Sequence, residues 1–217
     1  MTELRWLSDN TAVMLEYLLA HAWLSVAPLL LGLALALPLG WAAYRSRRLY
    51  RPLVAASSLL YTLPSLALFV LLPQVLGTRI LDPLNIVCAL TLYTVALLVR
   101  VVADALASVP EETVRAADAL GYRPLQRWVL VELPIAVPVI TAGLRVASVS
   151  NVSLVSLGAL LGVPQLGSLF TLGFQLGYLL PVAAGIVLCL LLAWLLDAAI
   201  VLAGRALTPW KAVVTPV

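Results

Sequence analysis

The sequence predicts an all-α integral membrane protein, and three observations predict it. Hydrophobic residues make up 63% of the 217 and charged residues only 11%, against about 25% charged in ordinary water-soluble domains. Residues 22–44, 52–78, 83–99 and 146–196 contain no Asp, Glu, Lys or Arg. A bilayer core of about 30 Å takes roughly 20 apolar residues as a helix. The first two runs therefore fit one crossing each, the third is slightly short, and the fourth must bend or break within itself.

"MTELRWLSDN" opens on acidic Glu3 and Asp9 and lacks the basic start of a secretory signal. The first apolar run is therefore expected to stay as a span. Residues 1–18 form an outer N-terminal segment, with a short amphipathic helix over 5–18. Span 1 follows at about 21–44, with bends expected at Pro28 and Pro38. Span 2 runs over about 53–74 and carries "SSLLYTLPS" (57–65), polar enough to face the bundle interior. "LGTRILDP" (76–83) is a loop on the outer side, and span 3 covers about 84–105. Span 4 is expected at about 134–155 and span 5 at about 179–203. The Gly-rich stretch 158–177 reads as re-entrant or broken, because irregular backbone at membrane depth survives only inside protein. A full crossing there would make six spans instead of five.

The charges set the orientation. Arg45, Arg47, Arg48 and Arg51 follow span 1. Arg115, Arg123 and Arg127 lie between spans 3 and 4, and Arg205 and Lys211 follow span 5. One side collects nearly all of them, so the positive-inside rule makes it cytoplasmic, with the N-terminus outside and residues 205–217 a cytoplasmic tail. The net charge of +3 is thus a membrane signature and implies no nucleic-acid partner.

The segment 109–131 differs from the rest. Ser108 and Glu111 have the spacing of a capping box, with Pro110 in the first turn. Glu111 and Arg115 are four apart, in the favourable order, and Arg115 and Asp118 are three apart. Val114, Ala117 and Leu120 form a narrow apolar stripe. Gly121 is a natural helix stop, and Pro124 starts a second helix ending near Leu133-Pro134. Ala116 and Ala117 let another surface approach closely. Pattern alone leaves two readings, a helix lying on lipid headgroups or one docking to protein. The narrow stripe, without Trp or Phe in its first helix, favours protein.

Other residues carry weaker signals. Cys88 and Cys189 sit in apolar runs and read as small hydrophobes. His21, the single histidine, reads as an interfacial polar residue near the outer end of span 1, and Trp23 and Trp41 as interface-belt residues. Arg100, Asp104, Arg145 and Asp197 lie toward the inner ends of spans, where charges are costly and paired. They are candidates for ion pairs fixing the bundle or for a gate. Ser148, Ser150, Asn151, Ser153 and Ser156 share span 4 and read as helix glue or as a path lining, together with Ser57, Tyr61 and Ser65 of span 2. Gly158–Gly162 and Gly173–Gly177 are low-specificity helix-contact spacings. No catalytic constellation, metal-ligand cluster or P-loop is present; the sole lysine, Lys211, lies between Trp210 and Ala212.

The stretch "VRAADALGYRPLQRWVLVELP" (114–134) resembles the EAA motif of ABC importer permeases. Ala116, Ala117, Gly121, Leu133 and Pro134 match at the motif spacing, Val131 stands for Ile, and Arg115 replaces the usual Glu. "YTLPSLALFVLLP" (61–73), "VELPIAVPVITAGLRVA" (131–147) and "LLGVPQLGSLF" (160–170) resemble the glycine betaine/carnitine/choline/proline osmoprotectant permeases of the ProW/OpuCB-like type. Val163-Pro164-Gln165 departs from that group's usual pattern.

The resemblance implies a single MetI-like permease domain over 1–217, in a bacterial plasma membrane. Its cytoplasmic coupling helix lies between spans 3 and 4. Arg115, Ala116, Ala117, Asp118, Gly121, Leu133 and Pro134 are the implied ATPase-coupling residues. The implied partners are nucleotide-binding ATPase subunits that hold ATP and Mg, a second permease chain (identical or related), an extracytoplasmic substrate-binding protein and the lipid bilayer. No cofactor is expected on this chain. The rival cargo is another small substrate such as methionine. A secondary transporter would show an inverted repeat between halves.

Overall fold

The computed structural model describes residues 3–210, which are helical with no strand among them. Lys211 and the rest of the tail to 217 lie outside the described residues.

A short helix α1 (Glu3–Asp9) is separated from α2 (Thr11–Arg45) only by Asn10, whose side-chain amide donates to the Trp6 carbonyl at 2.8 Å. The outer helix expected over 5–18 is therefore split, and residues 11–18 belong to the first span. Nothing between Thr11 and Arg45 stops the helix, since Pro28 and Pro38 lie inside it. Its 35 residues extend about 52 Å, well past a bilayer core of about 30 Å.

The centre of the bundle is α5 (Pro83–Ala107), the most buried of the long helices. Asp82 caps it, accepting from the Leu84 N–H at 2.9 Å, with Pro83 in the first turn where no intrahelical partner is lost. α2 packs against it through Gly32, Ala36 and Gly40, all buried and four apart. A Cβ on Gly32 would lie 2.4 Å from Thr94, and one on Gly40 2.6 Å from Val102. Small residues at such spacing let two helix backbones approach closely. Residue 32 meets 94 and 40 meets 102, so α2 and α5 run the same way.

α8 (Leu133–Val155) runs opposite to both. Gly143 abuts Val101, while Asn151 bonds Thr94. α10 (Leu179–Leu207) runs back along α8, with Asp197 on Arg145 and Gly204 against Thr141. α10 therefore runs the same way as α2 and α5, which leaves the start of α2 and the end of α10 at opposite ends of the bundle.

The second span is not one straight helix. α3 (Arg47–Thr62) and α4 (Ser65–Leu76) meet at an angle of 104°. Pro64 disfavours a helical residue before it, and Leu63 is extended at φ −67°, ψ 136°. The freed Leu63 carbonyl accepts the Tyr93 hydroxyl at 2.7 Å, so the break is satisfied from within the protein. Among the described residues, four helices are long and apolar enough to cross a membrane, five if this bent pair counts as one span.

The Gly-rich stretch breaks as expected. A 3-10 turn (Ser156–Leu161) ends at Gly162, φ +87°. α9 (Gly167–Leu176) has ten residues and is about 15 Å long, too short to cross. It ends at Gly177, φ +59°. The two glycine spacings are only half helix contacts. Gly158 lies against Ile86 and Gly173 against Val182, whereas Gly162 and Gly177 are left-handed stops.

Candidate functional site

The knuckle between α5 and α8 is built from a short helix and a tight turn. Ser108 does not cap it: Ser108 terminates α5, its hydroxyl donates to the Ala105 carbonyl at 2.7 Å, and α6 (Glu111–Ala119) starts behind Pro110 without a side-chain cap. The expected capping box fails because α5 stays helical to Ala107, leaving Ser108 inside its last turn. Glu111 and Glu112 occupy the first turn of α6, where carboxylates favour the helix dipole. Arg115 donates to Glu111 at 2.7 Å, with both side chains about three-quarters exposed.

α6 stops in a Schellman arrangement. The Tyr122 N–H bonds the Ala117 carbonyl at 3.2 Å and the Gly121 N–H bonds Asp118 at 3.0 Å. Gly121 has φ +82°, the left-handed conformation this motif favours for glycine. Of the expected apolar stripe, Ala117 is buried and Val114 half-buried, while Leu120 is exposed. Ala116 and Arg115 also face outward.

The second helix does not end at Leu133-Pro134. α7 (Pro124–Arg127) passes into a π turn over Trp128–Glu132, and this joins α8 without a gap. Pro134 is the second residue of α8, just past the π turn. Trp128 stacks on Trp41 of α2 at 4.9 Å between ring centroids, 22° from parallel. Arg45 lies 5.7 Å from the Trp41 ring centroid. Trp41 is thus a packing residue inside the bundle, and only Trp23, 64% exposed, keeps the character of a belt residue.

One arginine ties the knuckle together. Arg127 donates to both Asp118 oxygens, at 2.6 and 2.7 Å, and to Glu132 at 2.5 Å. Glu132 is fully buried, and its other oxygen has no hydrogen-bond partner, nor has the Trp128 indole N–H. Spacing along the chain puts Asp118 beside Arg115. Its partner is Arg127, nine residues on, and only the fold back at Gly121 brings the two together.

Arg100, Asp104, Arg145 and Asp197 form one layer. Arg100 and Asp104 pair at 3.5 Å on α5, and Tyr50 of α3 donates to Asp104 at 2.9 Å. Arg145 makes a two-pronged contact with Asp197 across α8 and α10, at 2.6 and 2.9 Å. Val101 faces Gly143, so both pairs sit at the same depth. Arg145 is about 18 Å along α8 from Leu133, deeper than the inner ends expected from sequence.

The candidate path residues divide. Tyr61, Ser65 and Ser153 line an open groove of about 380 Å³ with Ser150 and Tyr93, and Ser57 joins Tyr61 in a neighbouring hollow of about 490 Å³. Tyr61 stands edge-on to Tyr93 at 5.8 Å. Ser148 and Asn151 are buried and line neither space. Asn151 bonds Thr94 and donates to the Ser25 carbonyl, which is the helix-glue arrangement. Ser150 is one of the span 4 serines that the sequence offers as a path lining, whereas Tyr93 is not among them and could have been found by seeking a donor for the carbonyl freed before Pro64.

His21 is not an interfacial residue. It is fully buried, 2.9 Å from both the Gln165 side-chain oxygen and the Val152 carbonyl. Gln165 also accepts from the Gly167 N–H and donates to the Ser156 carbonyl, so the Val-Pro-Gln departure is a polar knot holding the broken stretch. Cys88 and Cys189 pack in different apolar clusters. No cluster of three metal-ligating side chains occurs among the described residues.

The protein-family profile "Binding-protein-dependent transport system inner membrane component" matches residues 29–209. The osmoprotectant import permease protein OsmW of Salmonella typhimurium (strain LT2) is 32% identical over 200 residues, 91% of this chain and 93% of that protein. The choline transport system permease protein OpuBB of Bacillus subtilis (strain 168) is 27% identical over 205 residues, 94% of this chain and 93% of that protein. A chain of the MetNI methionine ABC transporter, solved in inward facing conformations, superimposes with a TM-score of 0.81 at 23% identity, covering 92% of this chain and 98% of that one. That last likeness shows the fold alone. A profile match along most of the chain and a relative aligned nearly end to end place it plainly: it belongs to the inner-membrane permease family of binding-protein-dependent ABC importers.

Proposed function

We propose that this chain is the membrane-spanning subunit of an ABC importer for osmoprotectants, carrying compatible solutes such as glycine betaine, carnitine, choline or proline. The observation that carries this reading is the knuckle. α6 presents Ala116 without a bulky side chain on its outer face, and its charge is anchored to the base of α8. A separate ATPase subunit, which binds ATP and Mg, grips α6 through this face. Its closure tilts α8 and the bundle between inward and outward openings. The name of OsmW supports the cargo. The likeness to the methionine transporter, at 23% identity, supports no substrate.

The rest of the assembly follows from the same reading. One bundle of four or five spans leaves its Tyr61–Ser153 groove open on one side, and a second permease chain, identical or related, closes the path. The arginine-rich end faces the cytoplasm, the start of α2 faces outside, and an external binding protein delivers the solute there. The Arg145–Asp197 pair, exposed at the flank of the isolated chain, faces this path or the second chain, because charges at such depth avoid lipid.

The test is co-purification and uptake. Membranes expressing this chain with its candidate ATPase should yield a complex. With a betaine-binding protein, that complex should drive ATP-dependent glycine betaine uptake into proteoliposomes. Ala116→Trp should release the ATPase while the chain stays folded. An ATPase that stays bound and coupled to A116W would sink the docking assignment. A complex that imports methionine and ignores betaine would sink the cargo.

A further inference from the structure

We infer that Arg127 is a positioning residue that holds open the π turn between α7 and α8, so that α6 and α8 move as one rigid body. The inference rests on the importer reading above, because rigidity at this place matters only if a motor pushes on α6.

The geometry starts from an ion pair five residues long. In an α-helix, five residues turn the chain by about 500°, which puts the first and last on opposed faces. Arg127 and Glu132 nonetheless meet at 2.5 Å. They meet because Trp128–Glu132 is a π turn, in which the Leu133 N–H reaches back five residues to the Trp128 carbonyl. Ion pair and π turn therefore require each other. Relaxing the turn to α geometry would remove the pair and swing α7 and α6 around the axis of α8 by about one residue's rotation, 100°. Glu132 is fully buried, so its carboxylate has no water to turn to when Arg127 leaves.

The other arm fixes the far end. Arg127 holds both oxygens of Asp118, in the last turn of α6. Three points are thereby linked through one guanidinium: the end of α6, the end of α7 and the base of α8. Trp128 adds a fourth, its stack on Trp41 of α2. A push on α6 reaches α8 through this strut instead of being absorbed by the Gly121 turn, where no side chain stiffens the backbone. The sequence does not announce the device, because a pair spaced by five fits neither helical face pattern.

Asp118→Asn separates this role from mere stabilisation, since it cuts the tether to α6 and leaves the Arg127–Glu132 pair intact. The wild-type complex with its ATPase is reconstituted first, and glycine betaine uptake and phosphate release are measured in the same vesicles. D118N is expected to lower glycine betaine uptake per ATP hydrolysed about tenfold. Asp118→Glu is expected to restore most of that ratio. Nitroxides at Ala119 and Val139, with Cys88 and Cys189 changed to alanine, should show a narrow distance distribution that D118N broadens. Unchanged uptake per ATP together with an unbroadened distance overturns the inference. So does loss of the ATPase from D118N with an unbroadened distance, which would make Asp118 a partner contact. If the wild-type chain itself binds no ATPase or imports no betaine, the functional reading fails instead, and the spin-label comparison still decides the strut.

Discussion

At the α6 end of the bundle, the cross-links are charged: Arg127, mostly buried, lies between the half-exposed Asp118 and the fully buried Glu132. At the opposite end, the knot around Gln165 contains no carboxylate or guanidinium. It joins His21, the Val152 and Ser156 carbonyls and the Gly167 N–H, with the Asn151–Thr94–Ser25 bonds beneath it. The two regions solve different problems. The knot satisfies backbone groups freed where a helix breaks inside the apolar layer, and an amide does this without taking a charge out of water. The knuckle must hold segments that share little apolar surface, and a guanidinium bonding two carboxylates supplies direction as well as strength.

That contrast is breakable by experiment, and the largest effect is expected from the charged side. Arg127→Ala leaves a buried carboxylate unpaired and should destabilise the chain by about 3–5 kcal/mol, read as a drop in thermal midpoint in detergent. The double variant R127A/E132Q should recover part of that loss. No recovery would mean that the cost lies elsewhere. Gln165→Ala should cost less, about 1–3 kcal/mol, the penalty for leaving buried donors and acceptors unmatched. Limited proteolysis should then cut within 156–177 first; cleavage at the knuckle instead would show that the knot does not hold that stretch.

Two smaller effects sharpen the same comparison. Gly121→Ala meets no atom within 4 Å, so only its φ of +82° opposes it, at about 1 kcal/mol. Gly121→Asn should lose less, and equal losses would point to a contact rather than backbone conformation. Arg115→Ala removes a pair whose side chains are 75% and 77% exposed, and should change stability by under about 0.5 kcal/mol. A loss from R115A as large as that from R127A would end the claim that burial, and not charge alone, makes the knuckle rigid.

Much of this was legible along the chain. The uncharged runs located α2, the bent α3–α4 pair and α5, and the fourth run overlaps both α8 and α10, because crossing length and hydropathy are local quantities. Gly121 read as a stop, and the alanines beside it as a place of close approach. The Gly-rich stretch read as broken. Misreadings arose where a neighbour in sequence was weighed before a neighbour in space. Ser108 has the spacing of a cap, yet α5 extends far enough to take it into its own last turn. Asp118 has Arg115 within three residues, yet bonds Arg127. His21 near the end of an apolar run reads as interfacial, yet Gln165 meets it from 144 positions away. Ser148 and Asn151 share a helix with Ser153, but both are buried, and Asn151 bonds Thr94 of α5 and Ser25 of α2.

The sequence by itself determined that this chain is a bundle of apolar helices with one polar knuckle, because apolar length and the glycine stop act within a few residues of chain. Only the tertiary structure decided which charges meet, where the second span breaks against Tyr93, and that α7 enters α8 through a π turn. Those outcomes depend on how distant segments satisfy one another's buried polar groups, a balance that no local spacing encodes.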